Sequence, residues 1–461
     1  MTQPKLPPEL HQLILDTIGD EVVHAELALR KVMGSARETL RTCSLVCRDW
    51  HDLTLRHTFY NTNFVFFGGD RDMKRQAELF RLLEINPLIR RCIRRTDFHL
   101  QGDVLRGHVE AMCNAISPIE ILRIVFETSG PELDFPRPSL LDCLYPLLTT
   151  PDLRDLSIAT SYFPLHVLGC VANLQSLTLT GVQMVDMGKR GDKAWSSSTV
   201  EKLVVANGSR VLTQIGVAIK DNEDLHAFFQ DLKHLDMDLA GEESLLSPPW
   251  RVLLVRWIHL ETLVFHWTAR SLGKFVSIRT PISAADAKLL DLSTENSVQL
   301  FEMSQIIPWE SFQRLRSLTY DITFGIMGPN PLFEADAHPS KTIFSGPSYL
   351  PQLQHLHITH HHRTSFPSIH HIFPIFDAIY LHNLNKTIEN PSSFSSLRAF
   401  HTEVKGKLIQ ERRETSPTLD NGKLAQLVVD RLPAVFGPGG RKETYGWATS
   451  IVSNCKMFLV I

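Results

Sequence analysis

The segment Leu174-Gln175-Ser176-Leu177-Thr178-Leu179 contains the pattern that decides the expected fold of this chain. Its leucines occupy the first, fourth and sixth positions, so the last two are two residues apart. Side chains two apart lie on the same face of an extended strand, and the polar residue between them lies on the other face. The segment therefore predicts a short strand with one buried, leucine-lined face.

The same spacing of apolar residues recurs along most of the chain. The triplets begin at Ile93, Ile119, Leu153, Leu174, Val200, Leu232, Leu260, Leu315, Leu353 and Leu397. Because 43% of the residues are hydrophobic, triplets of this kind also arise by chance. The stronger signal is their context. Each of the first three triplets follows apolar residues at helical spacing and then residues that end a helix. In the first case, the stripe from Met73 to Leu83 and the break at Asn86-Pro87 precede Ile93.

This organisation resembles leucine-rich repeats, in which each repeat supplies one short strand and a helical or irregular return. The resemblance implies an α/β fold: an N-terminal helical domain, then an irregular solenoid of short parallel strands and helices over residues 61–404. The longest interval between triplets, from Leu260 to Leu315, indicates either an unrecognised repeat or a long insertion. The pattern ends at Val404, and we interpret residues 405–461 as a C-terminal cap or tail.

Stacked repeats present a row of strands whose exposed positions are suited to binding another macromolecule. We therefore expect residues 61–404 to bind a target protein. The pattern identifies neither that protein nor a single recognition residue.

The first sixty residues predict short amphipathic helices. Pro8 and Glu9 suit the first turn of a helix, and we expect that helix to end at Gly19. One of its faces is apolar and consists of Leu10, Leu13, Ile14 and Ile18. Ser35 and Glu38 have the spacing of a capping box and predict a second helix. So small a unit cannot bury all of its apolar residues internally, and we expect part of this surface to bind a partner.

Two stretches within these residues resemble the two halves of an F-box: Leu6-Pro7-Pro8-Glu9-Leu10 through Ile14, and Cys43-Ser44-Leu45-Val46-Cys47-Arg48-Asp49-Trp50. The resemblance implies a domain over residues 1–60 that docks on a Skp-type adaptor, which joins it to a cullin and a RING subunit. The adaptor-binding positions that it implies are Leu6, Pro7, Leu10, Ile14, Leu45, Val46, Cys47 and Trp50. The segment from Asp20 to Thr39 is longer than in compact F-boxes and predicts an extended loop or an extra helical turn.

The two resemblances together lead us to expect a substrate-recognition subunit of an SCF-type E3 ubiquitin ligase. Its F-box would bind the adaptor and its repeats would bind the target, so the chain itself would not be an enzyme. The alternative is a non-catalytic leucine-rich-repeat scaffold with no ligase role, whose N-terminal helices only cap the solenoid.

Composition argues against several other classes of protein. A net charge of -3 gives no strong positive field, so nucleic acid is not expected as a partner. The sequence shows neither the apolar run of a signal peptide nor a stretch long enough to span a bilayer, so we expect no membrane partner and a location in the cytosol or nucleus. Its seven cysteines are scattered without a Cys-x-x-Cys pair, which favours neither a disulfide framework nor a zinc site.

Three clusters offer chemical alternatives. The histidines between His355 and His371 could bind a metal, but no cysteine or acidic residue lies among them, so an exposed histidine-rich loop is the simpler interpretation. The four arginines at positions 90, 91, 94 and 95 lack interleaved aromatic residues and are interpreted as a solvated strand edge. Residues 437–442 lack the spacing of a P-loop and are interpreted as a turn. We therefore expect no catalytic residue, no cofactor and no metal.

Overall fold

The computed structural model describes residues 8–28, 38–66, 70–101, 106–116, 119–127, 138–160, 162–185, 199–206, 209–221, 223–238, 257–268, 312–326, 350, 352–364, 396–408 and 456–460. The chain divides into two compact units, Met1–Thr199 and Val200–Ile461.

The first unit alternates helices with strands. Its helices are α1 (Pro8–Ala28), α2 (Arg48–Thr58), α3 (Asp70–Ile85), α4 (Pro87–Cys92), α5 (Arg106–Ala115) and α6 (Pro138–Leu148). Its strands are β1 (Asn61–Phe66), β2 (Arg95–Gln101), β3 (Ile121–Glu127), β4 (Asp155–Ala159), β5 (Tyr162–Pro164), β6 (Ser176–Thr180) and β7 (Gln183–Val185). Strands β1, β2, β3, β4 and β6 form a parallel sheet in that order, while β5 pairs with β7.

The second unit has the same alternation with fewer described helices. These helices are α7 (Ser209–Asp221) and α8 (Glu223–Phe229). Its strands are β8 (Lys202–Ala206), β9 (His234–Asp238), β10 (Thr262–Thr268), β11 (Ser317–Ile326), β12 (His355–Thr364), β13 (Ala399–Leu408) and β14 (Lys456–Val460). They are adjacent in that order, β8 to β13 in parallel and β14 antiparallel to β13.

The second and third residues of each apolar triplet lie on these strands, as predicted, and the first residue lies just before its strand. In the first unit the strand register places Leu156 between Leu122 and Leu177, and all three side chains are buried. In the second unit Leu263 lies beside Leu318 in the same way, and both are again buried. Each strand therefore extends a continuous leucine-lined layer, which is how short strands that cannot fold alone become stable.

A repeated pair of backbone hydrogen bonds sets this register. The carbonyl oxygen of Arg154 accepts hydrogen bonds from the N–H groups of Gln175 and Ser176, at 2.8 and 3.0 Å. The same double acceptance occurs at the carbonyl groups of Tyr60, Arg94, Glu120, Glu201, Lys233, Glu261 and Arg316. Because each of these residues immediately precedes a strand, neighbouring strands begin level with one another.

The repeat contains a buried position that the predicted pattern lacked. The N–H of Leu260 donates to the carbonyl of Trp257 at 3.2 Å, and the N–H of Leu315 donates to that of Phe312 at 3.1 Å. Both aromatic side chains are buried. The turn before the strand thus places a large side chain in the core three residues ahead of the triplet, a spacing that is visible in the sequence.

Two expectations about the chain are changed by the structure. Helix α1 continues to Ala28, so the predicted helix end at Gly19 is wrong. Of the two alternatives for the segment that follows, residues 20–28 adopt the additional helix. Strands β10 and β11 pair directly, so the interval between Leu260 and Leu315 is an insertion between neighbouring strands.

These elements make the protein a mixed α/β protein built on parallel strands and helices. Among the described residues, no helix is both long enough and apolar enough to cross a bilayer.

Replacing Leu263 with alanine is expected to destabilise the second unit by about 2–5 kcal/mol, the usual cost of truncating a buried leucine. The matched control is Val264→Ala, because Val264 is the next residue on the same strand but points to the half-exposed face. That change should cost less than about 1 kcal/mol. Urea unfolding measures both, and equal losses would contradict the assignment of the two strand faces.

Candidate protein-docking site

Helices α1 and α2 pack around a small apolar core at the start of the first unit. Leu15 of α1 and Leu40 of the helical residues 38–43 are buried. The residues packed against them are Ile18, Cys43, Trp50 and Leu53. This core occupies only one face of α1.

Three contacts show that α1 and α2 run in the same direction. The rings of His11 and Trp50 lie edge to face with centroids 5.3 Å apart. Further along, Nε2 of His57 lies 3.0 Å from Oδ1 of Asp16, and the backbone at Gly19 lies against the same imidazole ring. Residues near the start of α1 therefore meet the start of α2, and residues in the middle of α1 meet the last turn of α2.

Large apolar side chains remain open to solvent at the end of this pair where His11 meets Trp50. We call this surface the docking face, and its residues, with the exposed fraction of each, are Leu10 (43%), Leu13 (62%), Ile14 (40%), Leu45 (82%) and Val46 (63%). The first three lie on α1 beside the face that packs on the core, and the last two lie in the turn just before α2. Large exposed apolar residues grouped in this way mark interaction surfaces in soluble proteins.

The predicted adaptor-binding residues fall into three groups. Leu10, Ile14, Leu45 and Val46 belong to the docking face, and Cys47 beside them is exposed. Trp50 is half-buried and packs on the Leu15–Leu40 core, so its role in the structure is to support the face. Leu6 and Pro7 lie outside the described residues.

Leu13 belongs to the docking face but was absent from the predicted adaptor-binding set. Its position three residues after Leu10 and one before Ile14 placed it on the predicted apolar stripe. Periodicity groups residues on one helix face, but it does not show which apolar residues remain uncovered.

The solvent-facing side of the second unit carries a network of charged side chains across three strands. Nε2 of His266 on β10 lies 3.0 Å from Oδ1 of Asp236 on β9, and its Nδ1 lies 3.1 Å from Oδ2 of Asp321 on β11. The hydrogen bonds to Asp236 and Asp321 raise the pKa of His266 to about 10, against the opposing effect of partial burial. His266 is therefore an imidazolium at neutral pH, on strand positions that are available for recognition.

The arginine cluster is engaged in contacts within the first unit. The Nε of Arg90 donates to the carbonyl oxygen of Ala115 at 2.7 Å, at the end of α5. Arg94 forms an ion pair with Glu120, and Arg95 lies 3.5 Å from a buried carboxylate of the same strand. These three side chains make contacts within the first unit instead of forming one basic surface.

Most of the histidine cluster lies on β12, because residues 355–362 are part of that strand, so the interpretation of this stretch as a loop is wrong. His355 is exposed and His357 is half-buried on β12, whereas residues 370, 371 and 437–442 are not described. In the part of the chain that the structure covers, no group of three or more His, Cys, Asp or Glu residues could hold a metal ion.

The sequence matches no protein-family model and no curated protein.

The pKa of His266 leads to a pH prediction. A histidine with a folded-state pKa above the ordinary 6.5 contributes stability that is complete below 6.5 and is lost as pH rises toward about 10. The free energy of unfolding should therefore fall with pH in this window more steeply in the wild type than in His266→Gln, whose side chain cannot gain a proton.

The control for this measurement is His355→Gln, which changes an exposed histidine on β12. It should keep the wild-type dependence when urea unfolding is followed at several pH values. Identical pH profiles for the wild type and His266→Gln would refute the role of the network.

Proposed function

We propose that this chain is a substrate-recognition subunit of an SCF-type ubiquitin ligase, and that its docking face binds a Skp-type adaptor. The observation that carries the proposal is that large apolar side chains are exposed at Leu10, Ile14, Leu45 and Val46. These are positions where the resemblance to an F-box places the adaptor contacts. The chain would act in the cytosol or nucleus and would not be an enzyme itself.

Burying the side chains of the docking face would release enough free energy to contribute substantially to binding. Fully burying a leucine, isoleucine or valine is worth roughly 1.5–3 kcal/mol. Scaled by their remaining exposure, the five residues would contribute roughly 4–9 kcal/mol before the entropic cost of association. An adaptor with an apolar groove would therefore gain much of its affinity from these five side chains.

Target recognition would fall to the solvent-facing strand positions. Side chains there alternate with the buried triplets, so residues of successive strands form rows on one surface. Asp236, His266 and Asp321 lie on this surface, with His266 directly opposite Asp321 and Asp236 on the neighbouring strand. The chemical step would belong to other subunits, and this chain would raise the local concentration of the target.

A second candidate function, a scaffold capped by its N-terminal helices, is favoured by the way the helices join the sheet. Only Phe59 and Tyr60 separate α2 from β1, and the carbonyl of Tyr60 accepts hydrogen bonds from the N–H groups of Arg94 and Arg95. Deleting residues 1–60 would remove this carbonyl and disturb the pairing of β1 with β2, whichever function is correct. Point substitutions on the docking face distinguish the two functions better.

Replacing Leu45 with aspartate is expected to abolish binding of the adaptor, because a carboxylate would have to be desolvated in an apolar interface. Since the Leu45 side chain is 82% exposed, the folded chain should keep its thermal stability. The measurement is adaptor binding by calorimetry together with a thermal melt.

The matched control is Ile258→Asp, which places the same charge at an apolar residue of the second unit that is 53% exposed. This variant should bind the adaptor like the wild type. If the intact wild type does not bind the adaptor, or if Leu45→Asp binds as well as Ile258→Asp, the ligase proposal fails and the scaffold function is favoured.

A further inference from the structure

The side chain of His57 holds α1 through two adjacent contacts. Its Nε2 lies 3.0 Å from Oδ1 of Asp16, and its ring lies against the buried backbone of Gly19. A methyl group at position 19 would overlap the Nδ1 and Cγ atoms of that ring. The imidazole is mostly buried, with 20% of its side chain exposed.

These two contacts fix the rotation of α1 about its own axis. Asp16 and Gly19 are three residues apart and so lie close together on one side of the helix. A helix turns through about 100° per residue, so a modest rotation would carry the docking residue Ile14 toward α2 and move Leu15 out of the core. The contacts of His57 with Asp16 and Gly19 therefore determine which apolar residues of α1 are exposed to solvent.

We infer that Gly19 and His57 are positioning residues for the docking face, and that they act by fixing how α1 packs against α2. The inference rests on the proposed function of that face. Glycine inside a helix is normally less favourable than alanine, so a buried glycine at this point of contact is consistent with a need for close approach of the ring.

The surroundings of His57 show how a substitution would act. The ring borders a cavity of about 710 Å³ that is also lined by Thr54, Tyr60 and Arg95. A methyl group at position 19 could therefore push the ring into this space without unfolding the unit. The displaced ring would lose its hydrogen bond with Asp16, and α1 would lose its fixed register.

The test compares Gly19→Ala, His57→Ala and the double variant in the full chain. The matched control is Gly107→Ala in α5, because a methyl group there has nothing within 4 Å. Two quantities are measured on each protein: the affinity for the Skp-type adaptor, and the hydrogen exchange of amides in α1 followed by mass spectrometry.

We expect Gly19→Ala to bind the adaptor about tenfold more weakly, equivalent to ~1.4 kcal/mol, and to exchange faster in α1. On the His57→Ala background the same methyl should cost almost nothing, because the ring that it displaces is gone. Gly107→Ala should match the wild type.

The inference is overturned if Gly19→Ala behaves like Gly107→Ala, or if the methyl has the same effect with and without the His57 ring. If the wild type does not bind the adaptor, the proposed function fails. The exchange data from the same proteins then still decide whether Gly19 and His57 position α1.

Discussion

The carbonyl group that immediately precedes eight of the described strands is the contact on which the rest of the structure depends, because it accepts hydrogen bonds from two N–H groups at the start of the neighbouring strand. At Arg154 and Lys233, as at the other such positions, it makes neighbouring strands begin at the same level. Level starts bring the triplets of successive strands side by side, so that Leu122, Leu156 and Leu177 form one buried layer. A shift of one residue would turn every one of these side chains to the opposite face.

The same constraint organises the other side of the strands. Because β10 and β11 are in register, His266 lies directly opposite Asp321 although 55 residues separate them in sequence. Tyr60 provides the first of these carbonyls in the chain, one residue before β1. The residue that follows α2 thus makes the same backbone hydrogen bonds as those that precede other strands. These bonds fix the position of the helices that carry the docking face relative to β1 and β2.

Local pattern predicted much of the fold. The triplets identified the strands because a period of two is visible within six residues. The apolar residues at helical spacing from Met73 to Leu83 identified α3, because that period is also local. Strand β1 was not predicted, although Phe59, Thr62 and Phe64 have the same spacing as the first triplet. The first of these residues lies in the stretch that was assigned to the N-terminal helical domain. Antiparallel β14 lies in the stretch that was interpreted only as a cap or tail, because its pairing with β13 is a long-range contact that no local period records.

The candidate sites were predictable to different degrees. The sequence marked most of the docking face, because apolar residues at helical spacing were too many for so small a unit. It could not mark Gly19 as a packing position, since the same residue at the same place also fits a helix end. The link between His266 and its two aspartates was equally hidden, because it depends on which strands become neighbours.

The two apolar faces of α1 are the strongest physical reason to place a partner at this end of the molecule. Leu15 and Ile18 already complete the contact with α2, so Leu10 and Leu13 beside that face add nothing to that core. Leu45 and Val46 lie in a turn, where polar residues usually occur, and they are the most exposed of the set together with Leu13. Exposed apolar residues give the isolated chain little stability and favour aggregation. A partner that covers both segments accounts for them at once, whereas capping of the sheet explains only the inner face.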